Sequence, residues 1–418
     1  MKRRVVVFVG IILSLMMVGS LRLQAQITIS DFIRSALQDP EIKTFDKQVA
    51  YLDGKPYKLS PLQKFEFRTQ SRELQTNQQE YALRFTPANP WEIRNNNRYF
   101  KAYQSSLLFE RDLILKEALT KRYVQIIYIL YYSELKLLLD DMRQLVDNQV
   151  AILEKQQTSS FFDADDYVEL KMKQLNRMVE VEEADFELQN QQQRVVRLYP
   201  EAHGQALTWN LDAVISIDRL ESVVDSLTKA SLVSASVEYQ KQKIEMASRE
   251  YALEKANINV GFLQTEFDQR RVEQDRSPIN ISFGVTIPIT NPNKGDMAKR
   301  KLEMIEAEYD LEEAKHESQT DRVILQENVG NLIQRYRSLQ LKIDQLEKGN
   351  LIQSLSALKG GDPLIVAQYR EDIVKLEMLL LKLKREIYFA YIEYLSLADN
   401  LQQQPLVNYL SQNLEGGN

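Results

Sequence analysis

Two segments of the chain alternate between apolar and polar side chains. They lie about 200 residues apart, at 81–86 and at 278–290. Strict alternation is typical of a β-strand that presents one apolar face. Each segment runs into prolines, which do not fit inside a paired strand or a helix, and then into a long helix-like stretch. The pattern predicts an internal duplication of one strand-to-helix unit.

The stretches that follow these strands are patterned for long helices. Residues 91–199 contain neither glycine nor proline, and half of them in one helix would span roughly 80 Å, more than a compact domain holds. The polar stretch 156–163 indicates the tip of an antiparallel helical hairpin, with a return helix over 165–198. A second hairpin, 296–397, turns at 360–363.

Apolar residues on these helices recur at alternating steps of three and four, which is the spacing of a heptad seam. The predicted seam of the first long helix is Val124, Tyr128, Tyr131, Leu135, Leu138, Met142 and Leu145, and that of the last helix is Val366, Tyr369, Ile373, Leu376, Leu380, Leu383, Ile387, Ala390, Tyr394 and Leu397.

The resulting organisation has two repeats behind an export signal. The segments are a signal peptide (1–25), a first repeat (26–218), a second repeat (219–400) and a polar tail (401–418). In the first repeat we predict a short helix capped by Ser30, strands at about 64–87 and a hairpin at about 92–199. In the second we predict a helix at 220–256, strands at about 257–290 and a hairpin at about 296–397.

The first residues have the three parts of a secretory signal. A basic start is followed by the apolar run 5–18, and Ala25 offers a cleavage point. An uncleaved membrane anchor is the alternative interpretation. We therefore expect the mature chain to leave the cytoplasm.

Composition argues against several classes of function. The 418 residues include no cysteine and two histidines, His203 and His316, which we expect in a loop and on a solvated helix face. No catalytic, cofactor-binding or metal site is predicted from these residues. The net charge of −6 is not typical of a nucleic-acid-binding protein, so we expect no nucleic-acid partner. No run of 18 apolar residues follows the signal, so we expect no membrane-spanning helix in the mature chain.

An exported sheet with one apolar face either covers that face with a soluble core or turns it to lipid. The apolar stripes of the helices are already used along their own seams, so the helices do not cover the sheet. This favours contact of the apolar sheet face with lipid. In hydrocarbon, strands span only as a closed barrel, and four strands are too few to enclose a lumen. Several chains must then share one barrel. The predicted lipid-facing residues are Tyr81, Leu83, Phe85, Ile279, Ile281, Phe283, Val285 and Ile287.

Three stretches make this layout similar to the TolC-like outer-membrane efflux protein family. Residues 27–42, with Pro40-Glu41 after the helix, resemble the family's first helix. Residues 283–288 with Gly295 and Arg300 resemble its strand-to-helix signature, and 360–368 resembles its second hairpin turn. The resemblance covers nearly the whole mature chain.

The resemblance implies a mainly α fold with a small β part, in which two repeats of a strand pair and a long helical hairpin assemble as a homotrimer. Three chains would build a twelve-strand barrel continued by an α-helical coiled-coil tunnel. It also implies the outer membrane of a Gram-negative bacterium as the location, extension into the periplasm, contact with outer-membrane lipid, and partnership with a periplasmic adaptor and an inner-membrane pump. The protein would be a passive export duct in a tripartite efflux or type I secretion system.

The hairpin tips are the adaptor-docking candidates under this resemblance. They are Thr158, Ser159 and Ser160 in the first hairpin and Gly360, Gly361, Asp362 and Pro363 in the second. Asp163 and Asp362 are candidate gate residues, with ordinary turn aspartates as the alternative. The chain departs from the family at Ser159-Ser160, where glycine is frequent. It departs again before the second tip, where acidic residues of some members are absent.

Other interpretations stay open at this point. An exported structural coiled coil without a pore would share the heptad seams, and a periplasmic adaptor would share one hairpin. The segment 64–74 carries too many charges for us to predict a lipid-facing strand there. Basic residues after both strand segments (94, 98 and 101; 299–301) either lie near lipid phosphates or form solvated helix faces. The exported cargo is not specified by these patterns.

Overall fold

The computed structural model describes residues 27–71, 79–157, 162–204, 209, 214–229, 234–274, 276–286, 289, 293–348 and 363–414. Its helices are α1 (Ile29–Arg34), α2 (Pro40–Asp53), α3 (Pro90–Gln156), α4 (Ala164–Leu198), α5 (Ile217–Lys229), α6 (Ala235–Ala256), α7 (Gln269–Glu273), α8 (Lys294–Lys348) and α9 (Pro363–Leu397). Its strands are β1 (Leu62–Ser71), β2 (Gln79–Pro87), β3 (Gly261–Asp268) and β4 (Ile279–Val285). The predicted fold class, mainly α with a small β part, is confirmed. The predicted signal peptide lies outside the described residues.

The four strands form one antiparallel sheet in the order β1-β2-β3-β4. The first predicted repeat supplies β1 and β2, and the second supplies β3 and β4, so the central pairing joins the repeats. Leu83 lies opposite Thr265, and Leu263 lies opposite Phe283. Because a slip of one residue would move every side chain to the other face, this register decides what each face presents.

The chain divides into two compact units, and each unit takes segments from both repeats. The helical unit comprises Met1–Gln38, Lys116–Ser231 and Arg322–Asn418, and the sheet unit comprises Asp39–Leu115 and Leu232–Asp321. Helices α3 and α8 therefore begin in the sheet unit and end in the helical unit.

Several element boundaries differ from the sequence-based prediction. Strand β3 begins at Gly261, so the predicted strand start at 257–260 is wrong; Asn259 instead accepts a hydrogen bond from the Gly261 N–H at 2.9 Å. Strand β4 ends at Val285, short of the predicted limit at 290. The predicted helix over 220–256 corresponds to α5 and α6, with 230–233 outside the described residues.

The first helix is capped two residues earlier than predicted. The hydroxyl of Thr28 accepts from the N–H of Asp31 at 3.0 Å, and the Asp31 carboxylate accepts from the N–H of Thr28 at 3.3 Å. This reciprocal pair is a capping box, and the predicted cap Ser30 lies inside α1. Pro40 then opens α2, where its missing N–H has no helical partner to lose.

The seam predicted for the last helix agrees with the structure, and the one predicted for the first long helix is out of phase. In α9, Ile373, Leu383 and Ile387 are buried, and the other predicted seam positions are buried or half-buried. In α3, Met142 is buried, but the other predicted seam positions are half-buried. The buried apolar positions of α3 in this region are Tyr123, Ile126, Ile127, Ile129, Leu130, Leu139, Met142, Val146, Val150 and Leu153.

The C-terminal segment packs into the helical unit. The hydroxyl of Tyr123 donates to the carbonyl of Val407 at 2.9 Å and accepts from the N–H of Tyr409 at 3.1 Å. Burial raises the pKa of the Tyr123 phenol far above its ordinary value, so it stays a hydrogen-bond donor. Leu401 and Leu410 are each 1% exposed. The tail thus contributes Leu401, Leu406 and Leu410 to the core.

None of the helices in the described part of the chain combines the length and apolarity needed to cross a membrane. The two histidines lie as expected, His203 in a turn and His316 on an exposed helix face.

Candidate functional site: a sheet with one apolar face and the helix ends around it

One face of the sheet is apolar across all four strands and is exposed. The register places Phe67 of β1 opposite Leu83 of β2, and Leu263 of β3 opposite Phe283 of β4. Phe283 is 79% exposed and Phe67 is 61% exposed. The large apolar side chains of this face are Phe65, Phe67, Tyr81, Leu83, Phe85, Leu263, Phe267, Ile279, Ile281, Phe283 and Val285. A continuous exposed apolar surface of this kind marks a site of interaction.

The sequence predicted seven of the eleven large apolar residues of this face and missed four. Seven of the eight predicted lipid-facing residues lie on it: Tyr81, Leu83, Phe85, Ile279, Ile281, Phe283 and Val285. Ile287 lies outside the described residues. The residues missed are Phe65, Phe67, Leu263 and Phe267. The alternation Phe65-Glu66-Phe67-Arg68 is typical of a strand with one apolar face, but the charges of Glu66 and Arg68 argued against a lipid-facing strand.

The charges of β1 all point to the opposite face. Glu66 forms ion pairs with Lys64 and with Arg68, the latter at 2.8 Å. The same face carries polar or charged side chains from each of the other strands, such as Arg84, Gln264 and Asn280. The sheet therefore has one apolar and one polar side, and the charges of β1 do not argue against the apolar face.

Strand β3 carries one aromatic ring, that of Phe262, on the polar face. Phe262 lies opposite Gly284, where a Cβ would come within 2.5 Å of the ring. The guanidinium carbon of Arg84 lies 3.7 Å from the centre of the same ring, a cation–π contact. Gly261 has φ +133°, and a Cβ there would lie 2.0 Å from the carbonyl oxygen of Gly284. The sheet needs glycine at both positions.

Two asparagines hold the sheet to the helices that follow it. Asn89, just before α3, donates through Nδ2 to the carbonyl of Ala256 at 2.6 Å and accepts from the N–H of Trp91 at 3.0 Å. Asn293, just before α8, donates to the carbonyls of Glu254 and Asn257 at 3.2 and 2.9 Å. Both side chains satisfy carbonyls at the C-terminal end of α6, which have no partner within that helix. The two strand-to-helix junctions are thereby tied to one helix end.

In the helical unit, a fully buried carboxylate joins two helices. Glu371 of α9 is 0% exposed and forms an ion pair with Lys173 of α4. The guanidinium of Arg177, also on α4, lies 3.3 Å from it, and Lys375 lies 3.6 Å from it. A buried charge is tolerated when opposite charges compensate it. This cluster was not predicted, because its burial depends on the packing of α4 against α9.

The predicted tip residues are placed in part. Asp163 caps α4, since its Oδ1 accepts from the N–H groups of Asp165 and Asp166 at 2.8 and 3.4 Å. Pro363 is the first residue of α9. Thr158, Ser159, Ser160, Gly360, Gly361 and Asp362 lie outside the described residues. Near the first tip, the hydrogen bond from Lys171 lowers the pKa of Glu154.

A solvent-open groove of about 570 Å³ in the helical unit is lined by residues of α3, α8 and α9, among them Asp141, Glu347, Arg370 and Glu377. Burial raises the pKa of Glu377, and the carboxylates of Glu347 and Asp141 raise it further. A second groove, of about 310 Å³, lies between α3, α4 and the start of α9. Both grooves are open surfaces of the hairpins and not enclosed pockets.

Helix α4 presents a second exposed apolar surface. Its residues Val168, Met172, Leu175, Val179 and Phe186 are exposed. They follow one another at steps of four, three, four and seven, which places them along one side of the helix. The sequence-based seams did not include them. Like the sheet face, this side of α4 is an apolar surface in contact with solvent in the single chain.

Known proteins share the fold but little sequence. Neither a protein-family model nor a curated protein sequence matches the chain. Among solved structures, the Vibrio cholerae outer membrane protein VceC aligns with a TM-score of 0.63 at 12% identity, covering 89% of this chain and 96% of that one. The Neisseria gonorrhoeae outer membrane channel MtrE gives 0.64 at 12% identity, covering 89% of each chain. The Campylobacter jejuni outer membrane channel CmeC gives 0.65 at 10% identity, covering 93% and 87%. The chain therefore has the fold of these outer-membrane channels, as the sequence resemblance implied.

Proposed function

We propose that this protein is the outer-membrane channel of a tripartite efflux or type I secretion system. It would act as a passive duct from the periplasm of a Gram-negative bacterium to the exterior. The observation that carries the proposal is the exposed apolar face shared by all four strands, in a fold that solved outer-membrane channels also have.

The sheet explains why several copies are needed. Strands β1 and β4 lie at the two edges of the sheet, so each has one side without a neighbouring strand in the single chain. In hydrocarbon, such backbone groups must be paired, and pairing with the edges of other copies satisfies them. Three copies would give twelve strands, with the apolar face toward lipid and the polar face toward a lumen wide enough for solutes.

The helices supply a second contact between copies. The exposed residues of α4, such as Met172 and Val179, would be buried against a neighbouring copy. The helical units would then form a tunnel that extends from the barrel into the periplasm. Cargo would pass through this lumen without any bond being made or broken, so the proposal requires no enzymatic chemistry.

The hairpin tips are proposed to bind the adaptor, which connects the channel to an inner-membrane pump. The tip residues are 158–160 and 360–363. The two open grooves of the hairpins are lined by residues of more than one helix and offer surface for a helical partner. As the gate we propose the acidic residues at the tips, Asp163 and Asp362, with the buried Glu371 as the link that holds α4 to α9.

A structural coiled coil or a soluble adaptor does not account for the sheet. Either would explain long helices, but neither requires Phe67, Leu83, Leu263 and Phe283 to form one exposed apolar surface. The chain has 13 glycines among 418 residues, fewer than Gly-rich β domains would need.

The test is assembly and conductance. The full-length protein is extracted from membranes in detergent, its mass is measured by light scattering, and it is added to a planar lipid bilayer. We expect particles of three chains that need detergent and produce discrete single-channel currents. Single chains that are dispersed in plain buffer and carry no current would contradict the proposal.

A further inference from the structure

The first strand-to-helix junction carries an unusual concentration of positive charge. The stretches 54–61 and 90–101 contain five basic residues and one acidic residue, whereas the whole chain has a net charge of −6. The basic residues are Lys55, Lys58, Arg94, Arg98 and Lys101, and all are exposed. With Trp91, which is 66% exposed, we call them the junction patch.

The patch is held together by contacts of the sheet unit. The ring of Tyr57 stacks on Phe100 of α3 with centroids 4.6 Å apart, and Asn96 donates to the carbonyl of Tyr57 at 2.7 Å. These contacts fix the loop that carries Lys55 and Lys58 against the first turns of α3. On α3 itself, Trp91, Arg94, Arg98 and Lys101 are spaced by three and four residues and so follow one side of the helix.

In the part of the chain that the structure describes, the arginines of the patch form no ion pairs. Within the described residues, no carboxylate lies within 4 Å of Arg94, Arg98 or Lys101. At the second junction, by contrast, Arg300 is bridged to Glu250 at 2.8 Å and to Glu303 at 2.9 Å. The sequence grouped Arg300 with Arg94 and Arg98, and the structure separates them. Arg300 ties α8 to α6. Arg94 and Arg98 are exposed, and no ion pair compensates their charges among the described residues.

The patch lies directly after the end of the apolar face. Trp91 follows the last residue of β2, Pro87, by four positions. Exposed tryptophan is favoured at the boundary between hydrocarbon and headgroups, and exposed arginine and lysine are favoured beside anionic headgroups. Charge complementarity and continuity with the apolar face therefore both point to a lipid with a negative headgroup.

We propose that the junction patch binds the phosphate of an anionic phospholipid, with Arg94 and Arg98 on the phosphate and Trp91 along the glycerol backbone and upper acyl chain. The inference rests on the proposed function, because the patch meets headgroups only when the sheet is in a bilayer. It assigns this chain a preference for anionic phospholipid in the leaflet next to the helices.

The chain offers a direct probe, since Trp91 and Trp209 are its two tryptophans. Trp209→Phe leaves Trp91 as the reporter, and the protein is reconstituted into vesicles of phosphatidylcholine with phosphatidylglycerol. Either lipid is brominated near the headgroup end of its chains, so that quenching of Trp91 measures which lipid is adjacent. We expect phosphatidylglycerol to be preferred at low salt, and Arg94→Gln/Arg98→Gln to reduce that preference on the order of tenfold.

A matched control removes the same charge from the same helix. Lys121→Gln/Lys155→Gln changes two exposed lysines further along α3 and should leave the lipid preference unchanged. Single-channel conductance is recorded for every variant. Equal quenching by both lipids in protein that conducts would overturn the lipid site and leave the channel standing. Protein that neither inserts nor conducts would overturn the proposed function and the lipid site with it.

Discussion

Phe262 of β3 lies opposite Gly284 of β4, and its ring occupies the space that any side chain at 284 would need. Gly284→Ala would place a Cβ within 2.5 Å of that ring and push it away from Arg84. Overpacking of this kind costs about 1–3 kcal/mol. We expect a lower temperature of trimer dissociation in detergent, measured by gel filtration after heating. Gly295→Ala, which has open space around it, serves as the control and should not lower that temperature.

The buried carboxylate of Glu371 is expected to hold α4 and α9 together. Glu371→Gln keeps the size of the side chain but leaves Lys173 without its counter-charge. Because Lys173 is partly solvated, we expect the free energy of unfolding to fall by about 1–3 kcal/mol, which is below the range for a fully buried pair. Denaturant unfolding measures it. With α4 released from α9, single-channel conductance should also rise.

The control for Glu371 is its neighbour on the same helix. Asp372 pairs with Lys375 at 2.8 Å and its side chain is 60% exposed. Asp372→Asn should change stability by less than about 0.5 kcal/mol. Equal effects of the two substitutions would show that Glu371 has no special role between the helices.

The raised pKa of Glu377 predicts a pH-dependent stability. Its pKa in the folded state lies above the ordinary value of 4.5. At pH values between the ordinary and the raised pKa, the folded state therefore binds a proton more readily than the unfolded chain does. Stability therefore rises as the pH falls through that window. Glu377→Gln removes the cost of ionisation and should stabilise the protein at pH 7 by less than about 1 kcal/mol.

Below the ordinary pKa, Glu377 is protonated in both states, and the advantage of Glu377→Gln should vanish. Melting curves at pH 7 and pH 4 measure the difference. Glu393→Gln, at an exposed position of the same helix, is the control for a generic charge effect. An advantage of Glu377→Gln that is the same at both pH values would show that burial of the ionised carboxyl is not its source.

The exposed apolar side of α4 is expected to be a contact between copies. Val179→Glu introduces a charge into that surface and should shift the detergent-solubilised protein from trimer toward single chains, as measured by light scattering. Gln319→Glu adds the same charge at an exposed polar position of α8 and should leave the trimer intact. Loss of the trimer in both variants, or in neither, would exclude this side of α4 as the contact.

The sequence predicted the elements well where one period dominated. The alternation around Phe283 and the seam around Ile387 each reflect a single apolar side, so the pattern alone is sufficient. In β1, the charges of Glu66 and Arg68 lie on the polar face. In the sequence alone, these charges argued against a lipid-facing strand at this position. Pairing with β2 resolves this, because it shows which residues share a face with Leu83.

Features that depend on contacts between distant segments could not be predicted from the sequence. The phase of β3 follows from the space that Gly284 leaves for Phe262. The roles of Asn89 and Asn293 follow from the position of the end of α6, more than 30 residues from either one along the chain. Such contacts arise from tertiary packing and leave no periodic signal.

The facing of the sheet is the central claim, and cysteine labelling tests it most directly because the native chain has no cysteine. Two adjacent pairs are compared in lipid vesicles: Phe283→Cys with Ser282→Cys on β4, and Leu263→Cys with Gln264→Cys on β3. We predict that positions 283 and 263 react with a maleimide dissolved in the bilayer, and that 282 and 264 react with a charged, water-soluble maleimide. The reverse pattern in both pairs, or equal labelling of all four positions by the water-soluble reagent, would contradict a lipid-facing apolar sheet.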